Sequence, residues 1–246
     1  MELHNTDCYK FMSQMTDKSV DLIYADPPYD LGIFKPGNGG TVNNKMKLDI
    51  TLQAINEITE TQYDLRKFCE EALRIMKEPN IYIWCNKAQF TDYFNFFVNE
   101  HKCKFEILFW NKTNALPTYS NKYLTDKEYC LYFHKGKGKT FPECYEDAKT
   151  ILYQSPINRE NKIYDHPNIK PLEFVKAHIS NSSREGDIVF DPFMGSGTAG
   201  VACKELGGRH YIGCELLEKH FNTAQLRING TLEVSKPKKM EKKELF

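Results

Sequence analysis

The amino-acid sequence predicts an α/β fold in which a mostly parallel sheet is flanked by helices on both faces. Short apolar segments with strand character alternate with helical patterns, the arrangement typical of parallel sheets. Two of the apolar segments end in an acid, a proline and a tight turn, at Asp26 and at Asp191. With 246 residues, of which 41% are hydrophobic, the chain is long enough for one large domain with a sizeable core.

The first half of the chain begins with an apolar strand, residues 20–25, and a long polar loop, residues 30–60, rich in turn-forming residues. The next element is predicted as a helix over residues 61–77. It has one apolar face, because apolar residues recur at steps of three and four: Leu65, Phe68, Cys69, Ala72, Leu73 and Met76. The following elements are predicted as a strand at 81–85, a helix at 90–99, a strand at 105–110 and an aromatic-rich strand at 128–134.

The second half opens with residues 135–165, which show no clear period. Pro171 then begins a predicted helix, because proline is tolerated in the first turn of a helix. The remaining elements are predicted as that helix at 171–183, a strand at 187–190, a helix at 198–206, a strand at 210–215 and a helix at 218–228. Residues 1–234 are interpreted as a single domain, and residues 235–246 as a charged, disordered tail.

Charge and cysteine usage exclude several classes of protein. The chain has 33 Lys and Arg against 33 Asp and Glu, so nucleic-acid binding would have to come from a local basic patch. The eight cysteines form no CxxC pair, so no metal site is predicted, and they are expected to be reduced core residues of a cytoplasmic protein. The chain lacks the features of a signal peptide and of a membrane span, so no membrane contact is expected.

A glycine-rich turn in residues 191–198 (DPFMGSGT) has the character of a cofactor site. Gly195 and Gly197 allow the backbone to approach a ligand, and the following helix directs its free N–H groups there. Glu215 ends the next strand, where an acid is placed to bind ribose hydroxyls. Because no GxGxxG follows, a nucleoside such as S-adenosylmethionine is favoured over a dinucleotide, with Asp191 near its ammonium group. Taken alone, the turn could equally be purely structural.

The run Asp26-Pro27-Pro28-Tyr29 follows the first apolar strand and is interpreted as the chemical centre. An exocyclic base amine is a poor nucleophile, and two acceptors that bind its N–H groups favour the tetrahedral geometry that it needs. The Asp26 carboxylate can be one acceptor, and the carbonyl of Pro27 or Pro28 the other, because prolines stiffen the loop. Tyr29 offers a ring on which an extruded base can stack. The alternative is an ordinary proline turn.

Together these motifs resemble those of the amino-group DNA methyltransferases of the β arrangement, in which the DPPY segment comes first and the FxGxG-type cofactor segment last. The similarity covers most of the chain. Further segments that resemble the family are residues 7–8, 17–23, 81–84, 108–112, 128–135, 166–172 (the HPxxKP segment) and 212–215. Two positions depart from the pattern: His134 stands where serine is commoner, and Cys214 stands where an aliphatic residue is commoner.

The resemblance implies a Rossmann-like fold that depends on S-adenosylmethionine, with permuted motif order and with the strands before Asp26 and Asp191 adjacent at the topological switch point. It implies site-specific methyl transfer to adenine N6 in DNA, since the motif starts with aspartate rather than serine. The implied catalytic residues are Asp26, Pro27, Pro28 and Tyr29. The implied cofactor-binding residues are Asp7, near the cofactor adenine, and Asp26, Lys170, Asp191, Phe193, Gly195, Ser196, Gly197, Thr198 and Glu215.

The family also indicates partners and a recognition segment. Double-stranded DNA is the expected partner, a second copy of the chain and a cognate restriction endonuclease are candidates, and the cytoplasm of a bacterial or phage-infected cell is the expected location. Residues 136–165 are interpreted as a short target-recognition segment, although a solvated charged loop is an alternative. The basic and aromatic residues at or beside it are Lys135, Lys137, Lys139, Lys149, Arg159, Lys162, Tyr145 and Tyr153. Residues 30–60 are interpreted as a mobile loop facing DNA and cofactor.

Three other functions remain open at this point. Cytosine N4 methylation is the alternative within the same family. Glutamine methylation of proteins is disfavoured, because that class resembles NPPY and places its cofactor motif first. A DNA-binding module with a decayed active site would have broken motifs, whereas both are intact here. Two histidines are given structural roles: His166 as a turn residue and His178 as a helix-surface residue.

Overall fold

A computed structural model describes residues 1–29, 63–113, 115, 123–136, 140–153, 164, 166 and 168–230 of the protein. The strands in these ranges are β1 (Glu2–Asn5), β2 (Leu22–Ala25), β3 (Asn80–Cys85), β4 (Lys104–Asn111), β5 (Lys127–His134), β6 (Ile151–Tyr153), β7 (Ile188–Asp191) and β8 (His210–Glu215). The helices are α1 (Cys8–Met12), α2 (Leu65–Ile75), α3 (Lys87–Phe94), α4 (Leu172–Ser182), α5 (Thr198–Leu206) and α6 (Glu218–Asn229). A π-helical segment, Asn95–Glu100, continues α3.

The strands form one sheet in the order β1-β8-β7-β2-β3-β5-β4-β6. Strands β1, β8, β7, β2 and β3 run parallel to one another. Strand β5 is antiparallel to both of its neighbours, and β6 pairs with β4 in parallel. The predicted mostly parallel α/β sheet is therefore confirmed.

The sheet has a hydrophobic core on each face, because successive side chains of a strand point to opposite sides. In β2, Ile23 and Ala25 face one core, while Leu22 and Tyr24 face the other. Helices α1, α2 and α3 contribute to the first core, and α4, α5 and α6 contribute to the second. The expectation that the cysteines are core residues holds for seven of the eight free thiols; Cys144 is exposed.

The predicted elements are all present, with small shifts at their ends. The start that shifts most is that of α2, from the predicted residue 61 to Leu65, and α3 begins at Lys87 instead of residue 90. The Asn86 side chain caps this helix by accepting hydrogen bonds from the backbone of Ala88 and Gln89, at 3.0 and 3.1 Å. Asparagine followed three residues later by glutamine is a capping-box signal, so the sequence contained the information that places this start.

Three short elements were not predicted: β1, α1 and β6. Strand β1 has four residues at the edge of the sheet, and its register with β8 aligns Asn5 with Glu215. A four-residue segment in which only Leu3 is apolar has little strand propensity of its own, so its strand conformation depends on this pairing. Strand β6 lies within residues 135–165, for which no element was predicted, and it pairs Ile151 with Phe109.

The order of the strands places the two motifs side by side. Strands β2 and β7 are direct neighbours, with Ile23 aligned with Phe190. The chain continues from β2 to β3 on one side and from β7 to β8 on the other. This divergence is a topological switch point, at which open α/β sheets bind ligands beyond the carboxyl ends of the strands. The two motifs are therefore neighbours, as predicted.

Two predicted segments cannot be compared with the structure. Residues 30–62 contain the whole predicted mobile loop, and residues 231–246 contain the predicted tail; both lie outside the described residues. In the predicted recognition segment, Lys137, Lys139, Arg159 and Lys162 also lie outside them.

Candidate active site

A cleft of about 580 Å³ opens at the carboxyl ends of β1, β8, β7 and β2. Each of these strands supplies an acid to it at or just after its last residue: Asp7 after β1, Glu215 at the end of β8, Asp191 at the end of β7, and Asp26 after β2. Parallel strands bring these positions together although they are far apart in sequence. The predicted cofactor residues that line the cleft are Asp7, Asp26, Lys170, Asp191, Phe193, Gly195, Ser196, Thr198 and Glu215.

The glycine-rich turn wraps around the end of β7. Gly195 adopts φ +52°, a left-handed conformation that favours glycine. Its backbone N–H donates to the Glu215 carboxylate at 2.8 Å, and the N–H of Leu217 donates to the other oxygen at 2.9 Å. Backbone donors from two loops thus hold Glu215 at the floor of the cleft in a fixed orientation.

Gly197 differs from the other predicted cofactor residues, because it does not line the cleft. It adopts φ +78° as the cap residue of α5. A Cβ there would lie 3.0 Å from Ala224 Cβ and from Ile228 Cδ1 of helix α6. Its glycine is needed for the left-handed turn and for close packing of α6 against the start of α5. A direct cofactor contact by Gly197 is untested and stays a prediction.

Arg227 anchors the same turn from below and was missed by the sequence analysis. Its guanidinium donates to the Ser196 hydroxyl at 3.0 Å and to the Thr198 hydroxyl at 2.7 Å. The residue is buried, on the same face of α6 as Ala224 and Ile228. An arginine on the buried face of the helix, beside Ala224 and Ile228, is the signal that could have identified it, since buried charges are normally paired or hydrogen-bonded.

Asp191 is a buried carboxyl whose described hydrogen-bond donors are neutral. The Tyr211 hydroxyl donates to it at 3.1 Å, and the backbone N–H of Phe193 donates at 3.2 Å. Burial raises the pKa of Asp191 to about 8, and the two donors oppose the shift only in part. A cation beside this carboxyl would restore its charge, so the cleft fits a ligand with an ammonium group next to Asp191.

Asp26 lies at the far end of the cleft, with each carboxylate oxygen engaged. Its Oδ1 accepts a hydrogen bond from the Tyr29 hydroxyl at 3.2 Å, and its Oδ2 accepts one from the Lys170 ammonium at 2.5 Å. Burial raises the pKa of Asp26, and the positive charge of Lys170 opposes this increase. The carboxylate is therefore oriented from two sides at the point where the cleft meets the DPPY segment.

The DPPY segment is also fixed through its backbone. The side-chain amide of Gln89, from helix α3, donates to the carbonyl oxygen of Pro28 at 3.0 Å. Gln89 is buried, so this contact ties the proline turn to the protein core. From the sequence, the carbonyl of either Pro27 or Pro28 could serve as the second acceptor for the amine. The bond to Gln89 engages Pro28 and leaves Pro27 as the better candidate.

Behind Asp26 lies a buried network of alternating charges that the sequence analysis did not predict. Lys170 contacts Asp26 and also Glu128 of β5, at 3.4 Å from the Glu128 Oε2 atom. Lys112, just beyond β4, pairs with the other oxygen of Glu128. Burial raises the pKa of Glu128, but the two lysines outweigh burial and lower it overall. Burial lowers the pKa of Lys170, but Asp26 and Glu128 raise it overall, so Lys170 and Glu128 are both ionised.

A second cleft, of about 810 Å³, lies on the other side of Tyr29. It is lined by the following residues of the loops and strand ends around β3, β4 and β5: Cys85, Asn86, Lys87, Ala88, Lys112, Tyr123, Leu124, Thr125, Asp126, Lys127, Glu128 and Tyr129. Tyr29 lines both clefts. Lysines and tyrosines together suit contact with phosphates and bases, so this cleft has the chemistry of a nucleic-acid site.

The structure changes the roles assigned to His178 and His166. The interpretation of His178 as a helix-surface residue is wrong: it is buried, stacks on Tyr82 at 4.7 Å between ring centroids, and hydrogen-bonds with Tyr24 at 3.3 Å. Burial lowers its pKa to about 3, so it is neutral. His166 lines the cofactor cleft beside Gly195, a place that its interpretation as a turn residue did not include.

The described ranges contain neither a cluster of metal ligands nor a membrane span. Within these ranges, no three His, Cys, Asp or Glu side chains gather as a metal site would require. None of the helices in the described part of the chain has the length and hydropathy of a membrane span.

Comparison with known proteins identifies the family. The model of the N6/N4 methyltransferase family, described as DNA methylase, matches residues 20–226. The chain belongs to this DNA methylase family. The Type II methyltransferase M2.DpnII of Streptococcus pneumoniae is 30% identical over 251 residues, covering 96% of this chain and 92% of that protein. M2.LlaDCHI of Lactococcus lactis subsp. cremoris, also a Type II methyltransferase, is 28% identical and covers 92% of this chain and 88% of its own length.

Solved structures agree with this assignment. The DNA methylase fold of this chain matches the crystal structure of the M1.HpyAVI–SAM complex with a TM-score of 0.66 and 26% identity, over 93% of this chain and 98% of that one. The cytosine-N4-specific PvuII DNA methyltransferase has the same fold, with a TM-score of 0.65 and 16% identity, over 92% of this chain and 85% of that one. The predicted fold and the predicted function as a DNA methyltransferase that uses S-adenosylmethionine are confirmed.

Proposed function

We propose that this DNA methylase is a site-specific methyltransferase of the β arrangement that methylates N6 of adenine in double-stranded DNA. The observation that carries the proposal is the position of Asp26 and Tyr29. Asp26 lines the cleft that fits a nucleoside with an ammonium group, and Tyr29, which donates to Asp26, lines both that cleft and the second cleft with its lysines and tyrosines. The carboxylate of Asp26 can therefore contact a base that enters from one side while a methyl donor lies on the other.

In the first cleft, individual acids are assigned to individual parts of S-adenosylmethionine. Asp191 would hold the ammonium of the methionine part, because a positive charge offsets the cost of ionising a buried carboxyl. Glu215 would bind the ribose hydroxyls with the lone pairs that remain beside its two backbone donors. Asp7 would lie near the adenine, since it follows β1 next to Glu215. Arg227 would hold the turn at Ser196 in the conformation that binds the ligand.

S-adenosylmethionine supplies an electrophilic methyl group on a sulfonium when it is bound. The protein acts on the nucleophile: Asp26 accepts one N–H of the target amine, and the Pro27 carbonyl accepts the other. These contacts favour a tetrahedral nitrogen whose lone pair points at the methyl carbon. Transfer would join the amine nitrogen to the methyl group while the sulfur leaves as a neutral thioether, and Asp26 would take up one amine proton.

Adenine is favoured as the target because the motif starts with Asp26, where serine would indicate cytosine N4 methylation. The adenine amine is paired within a duplex, so the base must rotate out of the stack to reach Asp26. Tyr29 would stack on the extruded base, and Lys87 and Lys127 at the second cleft would contact the phosphates of the strand that leads to it. These two lysines complement the predicted recognition segment at residues 136–165.

The proposal is tested by sequencing the DNA of cells that express the protein, with direct detection of modified bases. N6-methyladenine is expected at one short sequence, at nearly every copy, and absent from cells with the empty vector. Modified cytosine at a fixed sequence, with unmodified adenine, would reject the adenine assignment and keep the family. The second copy of the chain, the cognate endonuclease and the bacterial cytoplasm as location stay predictions.

The cofactor assignment makes a separate prediction for Glu215. Replacing Glu215 by alanine is expected to weaken S-adenosylmethionine binding by about 1–3 kcal/mol, because the ribose hydroxyls lose a charged acceptor. Isothermal titration calorimetry measures the loss directly. Saturating cofactor should also raise the melting temperature of the unmodified protein more than that of the variant. Glu218→Ala, in the first turn of α6, is the matched control; an equal loss in both variants would remove Glu215 from the ribose site.

A further inference from the structure

The two groups that engage Asp26 share one alternative acceptor. Lys170 donates to Asp26 Oδ2, and the Tyr29 hydroxyl donates to Asp26 Oδ1. Both donors also lie 3.4 Å from the same atom, Oε2 of Glu128. A small movement of either donor would therefore exchange one carboxylate for the other without breaking the network.

This arrangement creates a conflict that the proposed chemistry must resolve. Each oxygen of Asp26 keeps a second lone pair, but both oxygens already accept hydrogen bonds, so the target amine would have to share an oxygen with the Tyr29 hydroxyl or with the Lys170 ammonium. A charged lysine at 2.5 Å is the stronger competitor, because hydrogen bonds between ionised groups are about twice as strong as neutral ones. Lys170 has a side chain only 4% exposed, so it cannot turn to solvent when the amine arrives.

Glu128 has the properties that the second acceptor requires. Its side chain is 10% exposed, it faces the second cleft, and it is held in place through its other oxygen by Lys112. The lysines lower its pKa, so it is ionised and can receive Lys170 as a full ion pair. The buried charge of Lys170 is then never left unpaired, a state that would be costly.

We propose that Glu128 is a positioning residue for methyl transfer: it takes over Lys170 and the Tyr29 hydroxyl when the target amine engages Asp26. The inference rests on the proposed function and adds a part to it. In the free enzyme, the charge of Lys170 opposes the rise in the pKa of Asp26, and its hydrogen bond orients the carboxylate. In the DNA complex, the same lysine moves toward Glu128 and frees the oxygen that the amine needs.

Several other titratable groups surround Asp26, so the variant used as a test must leave their charges unchanged. Lys170, Glu128 and Tyr29 face it directly, and Asp191, Tyr24 and Cys130 affect it or are affected by it at longer range. Glu128→Gln changes one charge and almost no volume. Removing that negative charge leaves Asp26 opposite Lys170 alone, which lowers the pKa of Asp26.

The decisive experiment compares the pH profile of kcat for the wild type and Glu128→Gln with the same DNA. In the variant, kcat is expected to fall about 10- to 100-fold, the effect of losing one charge-assisted contact. The acid limb of its profile is expected to move to lower pH, while S-adenosylmethionine affinity stays within about twofold. Lys170→Met in the Glu128→Gln background should restore part of the lost kcat at high pH, because it removes the group that blocks Asp26.

A second variant separates the effect of the Glu128 charge from the effect of its side-chain length. Glu128→Asp keeps the charge but shortens the side chain, so kcat is expected to fall while the acid limb stays in place. Glu205→Gln, which alters an exposed ion pair with Lys176, is the matched control with wild-type behaviour. A kcat within twofold of wild type and an unmoved acid limb in Glu128→Gln would overturn the inference; if that variant does not fold, an unchanged kcat in Glu128→Asp does so alone. A wild type that methylates no DNA would reject the proposed function, and this inference with it.

Discussion

Methyl transfer is expected to fall by about 10²- to 10³-fold or more when Asp26 is replaced by alanine, because a preorganised acceptor at the reacting atom is lost. The physical reason is that the amine nitrogen is no longer held in the geometry that directs its lone pair at the methyl group. S-adenosylmethionine binding should be largely preserved, since Asp191 and Glu215 lie at other positions in the cleft. Single-turnover transfer of labelled methyl groups to DNA measures the first effect, and calorimetry measures the second.

The structure also predicts that the Asp26→Ala protein stays folded. Lys170 would lose one partner, but Glu128 remains within 3.4 Å as an ion-pair partner. Asp17→Ala is a suitable control, because Asp17 pairs with Arg74 and is 71% exposed. Near-wild-type turnover in Asp26→Ala would show that the role given to this carboxylate is wrong.

The second large effect is expected at Tyr29. Truncation to alanine should reduce activity by about 5- to 150-fold, the equivalent of the roughly 1–3 kcal/mol that stacking on an extruded base contributes. Tyr29→Phe and Tyr29→Trp keep a ring and should lose far less. Phenylalanine does remove the hydroxyl contacts to Asp26 and Glu128, at 3.2 and 3.4 Å, so it separates the hydroxyl from the ring.

Base extrusion can be followed without measuring methyl transfer. A 2-aminopurine at the target position is expected to brighten when the wild type binds, because the base leaves the stack. A mismatch opposite the target should strengthen binding, since less pairing energy is lost. The brightening should be weaker in Tyr29→Ala than in Tyr29→Phe. Unchanged fluorescence together with no benefit from mismatches would indicate that this enzyme does not flip the base.

Most of the fold could be predicted from the sequence, because its strands and helices have strong periodic patterns. The apolar strand before Asp26 and the helix at α2 are examples in which local pattern and tertiary burial agree. Strand β1 could not be predicted, since a four-residue segment with a single apolar residue, Leu3, becomes a strand only by pairing with β8. The limits of α3 were predictable in principle, because the capping box at Asn86 is a local signal.

The residues of the candidate site also include some that the sequence predicts and some that it does not. Asp26, Asp191 and Glu215 could be predicted because each ends an apolar strand, and strand ends meet at one edge of a parallel sheet. Glu128 and Lys112 could not be assigned to the site, because their contact with it depends on the position of β5 beside β3 in the sheet. The amphipathic pattern of a strand does not report which loop its charged end will face.

Nucleoside analysis of DNA methylated in vitro tests the central claim most directly. The purified protein is incubated with unmethylated duplex DNA and S-adenosylmethionine labelled in the methyl group, the DNA is digested, and the labelled nucleoside is identified by mass spectrometry. The expected result is label in N6-methyldeoxyadenosine, formed by the wild type and absent with Asp26→Ala. Label in N4-methyldeoxycytidine, or no label in any nucleoside, would contradict the assignment of this protein as an adenine N6 methyltransferase.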